Sequence, residues 1–479
     1  MASGAAASAD VGASSSAYLA MEADWRTIEA ILTGIDAIRA AGETYLPKFN
    51  AETDEGYKRR LASAPWRPEF ADALAALSAK PFGKEVAVQG ETSERLRAFC
   101  EDVDTLGNNL HVFARETFER GVAFGFDAIF VDHQPMREGA TRAEEQAAGA
   151  RPYWIHVRAQ DILALYTELR RGKTIVSHVR FREVSVERDG YTEVTVTRVR
   201  VLEPGRWEIW KQTDKGFEKE DEGTFANVAE VPFVLFAPGQ RDGSRIRPPL
   251  RHLAALQIEL YRALSRLEEI LTFVGFPMLC ANGMMPPTET DPATGKQVSA
   301  PIAIGPGVVL FAPPSGDAGG TPSWTFVQPD PDNLKEAAAH VRTIIEDMRR
   351  LGLQPAVQRS GTITATATAT ETAKAHSVVE SWASALKDAL ERALEFTAQF
   401  YREEPTAEVF VHTDFGVDID GTTDMAELLK ARVAGEIARE TYWDELRRRG
   451  KLGPQFDPLR EAELLDEESV GRGAVVKDA

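Results

Sequence analysis

Apolar positions along this chain change their period several times, and the changes mark its elements. Ile28, Ile31, Ile35 and Ile38 recur at helical spacing and predict a helix over Asp24–Ala41, ended by Gly42. Tyr45-Leu46-Pro47 is an extended break. Short helices are predicted over Glu52–Leu61, up to Pro65, and over Phe70–Leu77, stopped by Pro81 and Gly83. From Thr92 to Gly121 the apolar positions Leu96, Phe99, Val103, Leu106, Leu110 and Phe113 keep one phase, which predicts a single long helix closed by Gly121 and Gly125.

The period then shortens. Asp127–Asp132 has the continuous apolar run of a buried strand, 137–149 is a polar loop, and Tyr153–Arg158 is strand-like. Ala159–Leu165 suits a turn or short helix. Alternation from Thr174 to Lys211, with the hairpin dipeptide Asp189-Gly190, predicts an antiparallel β module, and Val231–Phe236 adds a strand.

Helical spacing returns after Pro248. Leu253, Leu256, Leu260, Leu264, Leu267, Leu271 and Val274 form one stripe, ended at Gly275–Pro277. Residues 276–331 are rich in Pro and Gly, with one strand candidate at Gly307–Phe311. Leu334, Ala338, Val341, Ile345 and Met348 then repeat in heptad fashion up to Gly352. The tract Thr362-Ile-Thr-Ala-Thr-Ala-Thr-Ala-Thr370 is uncharged and of low complexity, and 354–370 is expected to be a loop. A helix follows over Glu371–Arg402, a strand at Val409–Val411, and a helical end over Asp424–Arg449 interrupted at Gly435, before the acidic Asp457–Ala479. Helices and strands are segregated, so the fold class is α+β.

Composition narrows the picture. The 479 residues are 43% hydrophobic and 27% charged, ample for a core and for several subdomains. The opening Met1–Ala17 has neither basic nor apolar signal-peptide regions, and a disordered tail through residue 24 is expected. No apolar run is long enough to span a membrane. Cys100 and Cys280, far apart, fit neither a disulfide framework nor a zinc cluster. The net charge of −19 argues against a conventional nucleic-acid binder, which neutralises phosphate with a basic surface.

Catalytic motifs are missing. No phosphate-cradling GxxxxGK[ST] occurs, and Gly305-Pro-Gly307 fits a turn rather than a dinucleotide fingerprint. His412, Asp414, Asp418 and Asp420-Gly421 lack the spacing of a calcium loop. His376 and Ser377 are adjacent on a helix, so their side chains diverge. Neither a metal site nor a cofactor is expected, and no enzyme activity.

The order and spacing of several stretches resemble the portal proteins of tailed bacteriophages, in particular a portal-like family formerly catalogued as a domain of unknown function. The resembling stretches are Tyr45-Leu46-Pro47 with Glu55, Tyr57 and Arg60, and Gly121–Asp132 at a helix-to-strand step. Ile155–Ile162, Pro248-Pro249-Leu250 leading into Tyr261, and Met348–Gly352 followed by the Thr-rich tract and Glu371-Thr372-Ala373 complete the series.

The resemblance implies a wing over 25–250 and 371–415, stem helices over 251–275 and 333–353, a clip over 276–332, a tunnel loop over 354–370, and a crown with an acidic tail over 416–479. It implies a ring, usually of twelve subunits, at the portal vertex of the virion, assembled in the host cytoplasm. The implied partners are the terminase large subunit, head–tail adaptor proteins, major capsid and scaffold proteins, and double-stranded DNA passing through the channel. Gln358, Arg359, Ser360, Thr362, Thr364, Thr366 and Thr368 would line the DNA, and Arg342 and Arg349 would touch it transiently. Leu260, Leu264, Leu267, Leu271, Leu334, Val341, Ile345 and Met348 would pack the stem. An acidic wall would repel phosphate and let a duplex slide. Other readings are another capsid or head–tail junction protein, or a hydrolase with converging carboxylates of perturbed pKa.

Overall fold

A computed structural model gives the fold. It describes residues 10–90, 92–134, 150–170, 172–225, 227–242, 245–275, 278–282, 288–290, 295–299, 323–327, 331–352, 365–404, 407–413, 415, 423–448 and six positions between 452 and 464. The expected loop 137–149, the strand expected at Gly307–Phe311, and Gln358, Arg359, Ser360, Thr362 and Thr364 lie outside the described residues.

In chain order the elements are α1 (Ser16–Thr33), α2 (Ile35–Ala40), α3 (Asp54–Ser63), α4 (Glu69–Ala79), β1 (Ala87–Gln89), α5 (Glu94–Cys100) and α6 (Leu110–Phe124). The strands β2 (Asp127–His133), β3 (Pro152–Arg158), β4 (Ile162–Arg170), β5 (Lys173–Asp189), β6 (Thr192–Glu203), β7 (Arg206–Thr213), β8 (Gly216–Thr224), β9 (Phe233–Phe236), β10 (Gln240–Asp242) and β11 (Arg245–Arg247) follow. Then come α7 (Arg251–Gly275), β12 (Met278–Asn282), β13 (Thr288–Thr290), β14 (Gln297–Ser299), β15 (Ser323–Val327), α8 (Pro331–Leu351), α9 (Ala365–Tyr401), β16 (Glu408–Phe410), α10 (Thr423–Val433) and α11 (Arg439–Arg448). All strand pairs among the described residues are antiparallel, so the α+β expectation holds.

The chain divides into two compact units, Met1–Gly34 with Pro68–Ala255 and Met348–Ala479, and Ile35–Arg67 with Leu256–Asp347. The first unit is built on a three-stranded sheet of order β3-β2-β9. Ala128, Ile129, Phe130 and Val131 of its central strand are wholly buried. Helices α6 and α9 pack against this sheet, with Phe113 on Trp154 and Phe118 on Phe236, and Leu386, Leu390 and Ala393 of α9 are buried. Trp154 of β3 donates its indole N–H to Thr397 of α9 at 2.9 Å, which satisfies a buried donor. Gly121 of α6 lies so close to Phe236 that a Cβ would sit 2.4 Å from the ring.

A five-stranded meander, β4 to β8 in order, forms the β module. Gly190 at its hairpin takes φ +63°, the left-handed conformation that Asp189-Gly190 favours. Arg200 of β6 joins the two sheets, with Asp132 at 2.6 Å and Glu183 at 3.0 Å. The second unit holds α2, α3, the larger parts of α7 and α8, and two small strand pairs, β12–β15 and β13–β14.

Four expectations are corrected. The expected tail through residue 24 is helical from Ser16. Ser15 caps it by accepting from Tyr18 N at 3.2 Å, and Tyr18, Met21 and Trp25 extend the buried stripe backward. The single helix over Thr92–Gly121 is two, α5 and α6. Asp104 accepts from the backbone of Leu106 and Asn108, Gly107 takes φ +90°, and Asn109 caps α6. The segment Ala159–Leu165 is a short 3-10 turn over Ala159–Asp161 running into strand β4. The loop expected through Thr370 is already helix from Ala365, so Thr366 and Thr368 lie in the first turns of α9. Extending an existing helix backward avoids a new nucleus, and the interleaved alanines favour it.

Candidate functional site

The two long helices α7 and α8, with the segment leading into α9, hold most of the residues singled out in the sequence. Pro248 and Pro249 precede α7, and after them the stripe of leucines at three- and four-residue steps makes an amphipathic helix. Leu260 is fully buried and Leu264 is 7% exposed, but Leu267 is half-buried and Leu271 is 43% exposed. The stripe therefore leaves the core along the last two turns of α7.

The middle of α7 is fastened by polar groups that its stripe did not reveal. Gln257, fully buried, donates to the carbonyl of Arg67 at 2.7 Å. Arg262 donates to the carbonyl of Tyr45 at 2.7 Å, and Tyr261 meets Trp66 edge-on. Arg60 is the hub. Its guanidinium grips Glu52 with two bonds, of 2.8 and 2.7 Å, donates to the Pro47 carbonyl at 2.9 Å and lies 4.2 Å over the Phe49 ring. Its remaining nitrogen faces Ser265 of α7 at 3.5 Å. The hydrogen bond from Arg60 holds the Glu52 carboxyl below the usual carboxylate range. Pro47, Tyr57 and Arg60, met in the sequence as a pattern, come together here around one ion pair, while Tyr45 of the same pattern holds Arg262.

On α8 the heptad residues Val341, Ile345 and Met348 are buried, Ile344 joins them, and Leu334 is half-buried. Arg342 is on the exposed face. Arg349 has its Nε 3.5 Å from a Glu69 carboxylate oxygen, so it is partly engaged within the chain. Strands β12 and β15 pair from Met278↔Val327 to Asn282↔Ser323. This clasp draws the last turn of α7 and the first turn of α8 to one end. No side-chain surroundings are described for Thr366 and Thr368.

The charge is unevenly placed. Helix α7 carries Arg251, Arg262 and Arg266 against Glu259, Glu268 and Glu269. Helix α8 carries Lys335, Arg342, Arg349 and Arg350 against Asp332, Glu336, Glu346 and Asp347, so both are neutral. Residues 403–479 hold nineteen acidic against ten basic side chains, nearly half of the −19. The acidity expected of a channel wall is thus not on these two helices.

Two carboxyls have pKa values raised by desolvation: the wholly buried Asp127, 3.2 Å from His156 Nδ1, and the half-buried Glu183, beside Arg200. They line separate clefts of about 320 and 440 Å³ in the first unit and do not converge. Asp127 is wholly buried, and His156 is stacked on Phe113 at 3.7 Å, which marks a core pair. Among the described residues no group of three His, Cys, Asp or Glu side chains is placed to hold a metal, and no helix is long and apolar enough to cross a membrane. His412 is described, while Asp414, Asp418 and Asp420 lie outside the described residues.

A family model described as a domain of unknown function (DUF4055) matches residues 249–401, from just before α7 to the last residue of α9. No curated protein matches the chain. Among solved structures, a chain described as "Virion of native gene transfer agent (GTA) particle" is 11% identical at a TM-score of 0.40, with 87% of this chain and 99% of that chain covered. A chain of "Neck of empty GTA particle computed with C6 symmetry" is 11% identical at 0.39, covering 78% of this chain and 88% of that one. A chain of "Neck of native GTA particle computed with C12 symmetry" is 10% identical at 0.40, covering 79% and 89%. These are remote likenesses, and the functional reading rests on the chain's own elements.

Proposed function

We propose that this chain is one subunit of a ring-shaped portal at a single vertex of a tailed-phage-type capsid. The observation that carries the reading is the sequence of elements from α7 to α9. Two long amphipathic helices are clasped at one end by β12–β15, and a small-residue segment then leads into a helix of 37 residues. The family model matches the same block as one piece.

In this reading α7 and α8 are the stem, 276–332 is the clip, and 354–370, with Gln358, Arg359, Ser360, Thr362, Thr364, Thr366 and Thr368, lines the channel. The first unit supplies the wing, and 416–479 the crown. A closed ring needs a heterologous contact repeated by rotation. The apolar positions Leu267 and Leu271, incompletely covered within one chain, suit such a contact. Double-stranded DNA would pass through the opening, and a terminase large subunit and then head–tail adaptor proteins would dock at the clip. The major capsid and scaffold proteins would meet the wing. The acidic residues of 403–479 would repel phosphate at the crown end, while the neutral stem would neither hold nor expel the duplex. No catalytic step is assigned to the chain.

Negative-stain electron microscopy of the purified chain tests the reading. Rings with a central opening wide enough for a duplex are expected; particles with no opening would support another capsid or junction protein instead.

A further inference from the structure

A cleft of about 320 Å³ lies where the C-terminal ends of α1 and α6 meet the start of β2 and the end of β3. The two buried polar atoms that line it without a hydrogen-bond partner are both acceptors. Asp127 is wholly buried; its Oδ2 faces His156 Nδ1 at 3.2 Å, and its Oδ1 makes no hydrogen bond among the described residues. Gln160 donates its amide N–H to Glu29 at 2.9 Å, which fixes its Oε1 as an acceptor, and that oxygen is the second. The guanidiniums on the cleft wall are taken, Arg120 by Glu116 at 3.2 Å and Arg158 by Asp161 at 2.7 Å. Helices α1 and α6 both end here with no basic residue in their last turns, so the negative ends of both dipoles favour a cation. Among the described residues no three His, Cys, Asp or Glu side chains are placed to hold a metal, which leaves an organic cation. Leu32, Phe124 and Ala159 supply apolar wall beside the acceptors.

We propose that this cleft binds a primary alkylammonium group, whose N–H donors answer Asp127 Oδ1 and Gln160 Oε1 while its apolar stem lies along Leu32, Phe124 and Ala159. An ammonium offers three donors and no acceptor, so it adds no new unsatisfied atom to a site of this kind. Its bond to a buried carboxylate is of the strong, charge-assisted type. Leu32 and Glu29, both exposed, stand at the mouth. The cleft lies wholly in the first unit and needs no ring.

Isothermal titration calorimetry of the purified full-length chain at low salt tests it, with butylamine as the probe. Butylamine should bind once per subunit, and tetramethylammonium, which has the charge but no N–H, should not bind. Asp127→Asn keeps the shape and removes the charge; it should weaken butylamine binding about tenfold to a hundredfold, with circular dichroism confirming its fold. Gln160→Leu removes the other acceptor and should weaken binding about tenfold, and it carries the test if Asp127→Asn does not fold. Glu119→Gln makes the same charge change on the exposed face of α6 and should bind as the native chain does. Two further probes separate the sources of the ammonium: tighter binding of putrescine than of Nα-acetyl-lysine amide assigns a free amine, and the reverse a lysine side chain of a partner protein. No butylamine binding, equal binding of tetramethylammonium, or native-strength binding by both Asp127→Asn and Gln160→Leu would overturn the proposal.

Discussion

Removing the Arg60 guanidinium should unfasten α7 from the segment before it. In Arg60→Met, Glu52 stays largely buried with only the Phe49 N–H still donating to it, and the Pro47 carbonyl loses the guanidinium donor. The side chains of Arg60 and Glu52 are 3% and 11% exposed, so water replaces little of what is lost. One-sided removal of a buried ion pair costs roughly 3–5 kcal/mol, and losing the Phe49 stack adds about 0.5–2 kcal/mol. Partial relaxation around the exposed edge of Glu52 puts the expectation near the lower end, about 4 kcal/mol in all. Arg60→Lys keeps the charge but not the two-pronged grip, and should cost about half as much. Glu52→Gln should be comparably destabilising, and the double change Glu52→Gln with Arg60→Met should cost clearly less than the two singles together. Urea unfolding followed by circular dichroism, at fixed protein concentration, gives the values. Because the Glu52 carboxyl is held below its ordinary range, its stabilisation is present at neutral pH and fades as pH falls through the folded-state value. The gap between the native chain and Glu52→Gln should therefore close in acid. A loss under about 0.5 kcal/mol for Arg60→Met would refute the hub, since that is the scatter of ordinary surface changes.

Other expectations follow from single sites. Gly121→Ala would bring a methyl group to 2.4 Å from Phe236 and should cost about 1–3 kcal/mol, read as a lower unfolding midpoint. Asp127 has a carboxyl pushed up by burial, so the native chain loses stability as pH rises from the unfolded toward the folded value. Asp127→Asn should remove that loss and be the more stable chain at neutral pH, with the difference vanishing in acid; a less stable Asp127→Asn at neutral pH would show that the charged pair with His156 prevails. Purified rings should bind linear duplex weakly, and tight binding with a steep salt dependence in a filter-binding titration would contradict a neutral stem.

What the sequence disclosed depended on whether an apolar period carried the information. Helices α7 and α8 were legible because their stripes are long and keep one phase. The same regularity misled over Thr92–Gly121, where Val103 and Leu106 stay in phase across a turn; Val103 is fully buried but Leu106 is 82% exposed. Helix α1 was masked by its Ala- and Ser-rich surroundings, although Tyr18, Met21 and Trp25 already held the helical step. Strand β8, Gly216–Thr224, has five consecutive charged residues, Glu218–Glu222, as suits the edge of a sheet, and carries no alternation to detect. At the candidate site, the pattern Tyr45-Leu46-Pro47 with Arg60 was visible, but its bonding was not, because the Glu52 carboxylate, the Pro47 carbonyl and Ser265 of α7 follow no periodic spacing. Ile344 was missed because a strict heptad passes over the fourth buried position of α8.

The mass of the assembled particle tests the central claim most directly. Light scattering or native mass spectrometry of the purified full-length chain should give one discrete multiple of the subunit mass, with twelve the multiple that the resemblance implies. A single subunit at micromolar concentration, or an open-ended series of sizes, would contradict a closed ring and with it the portal reading.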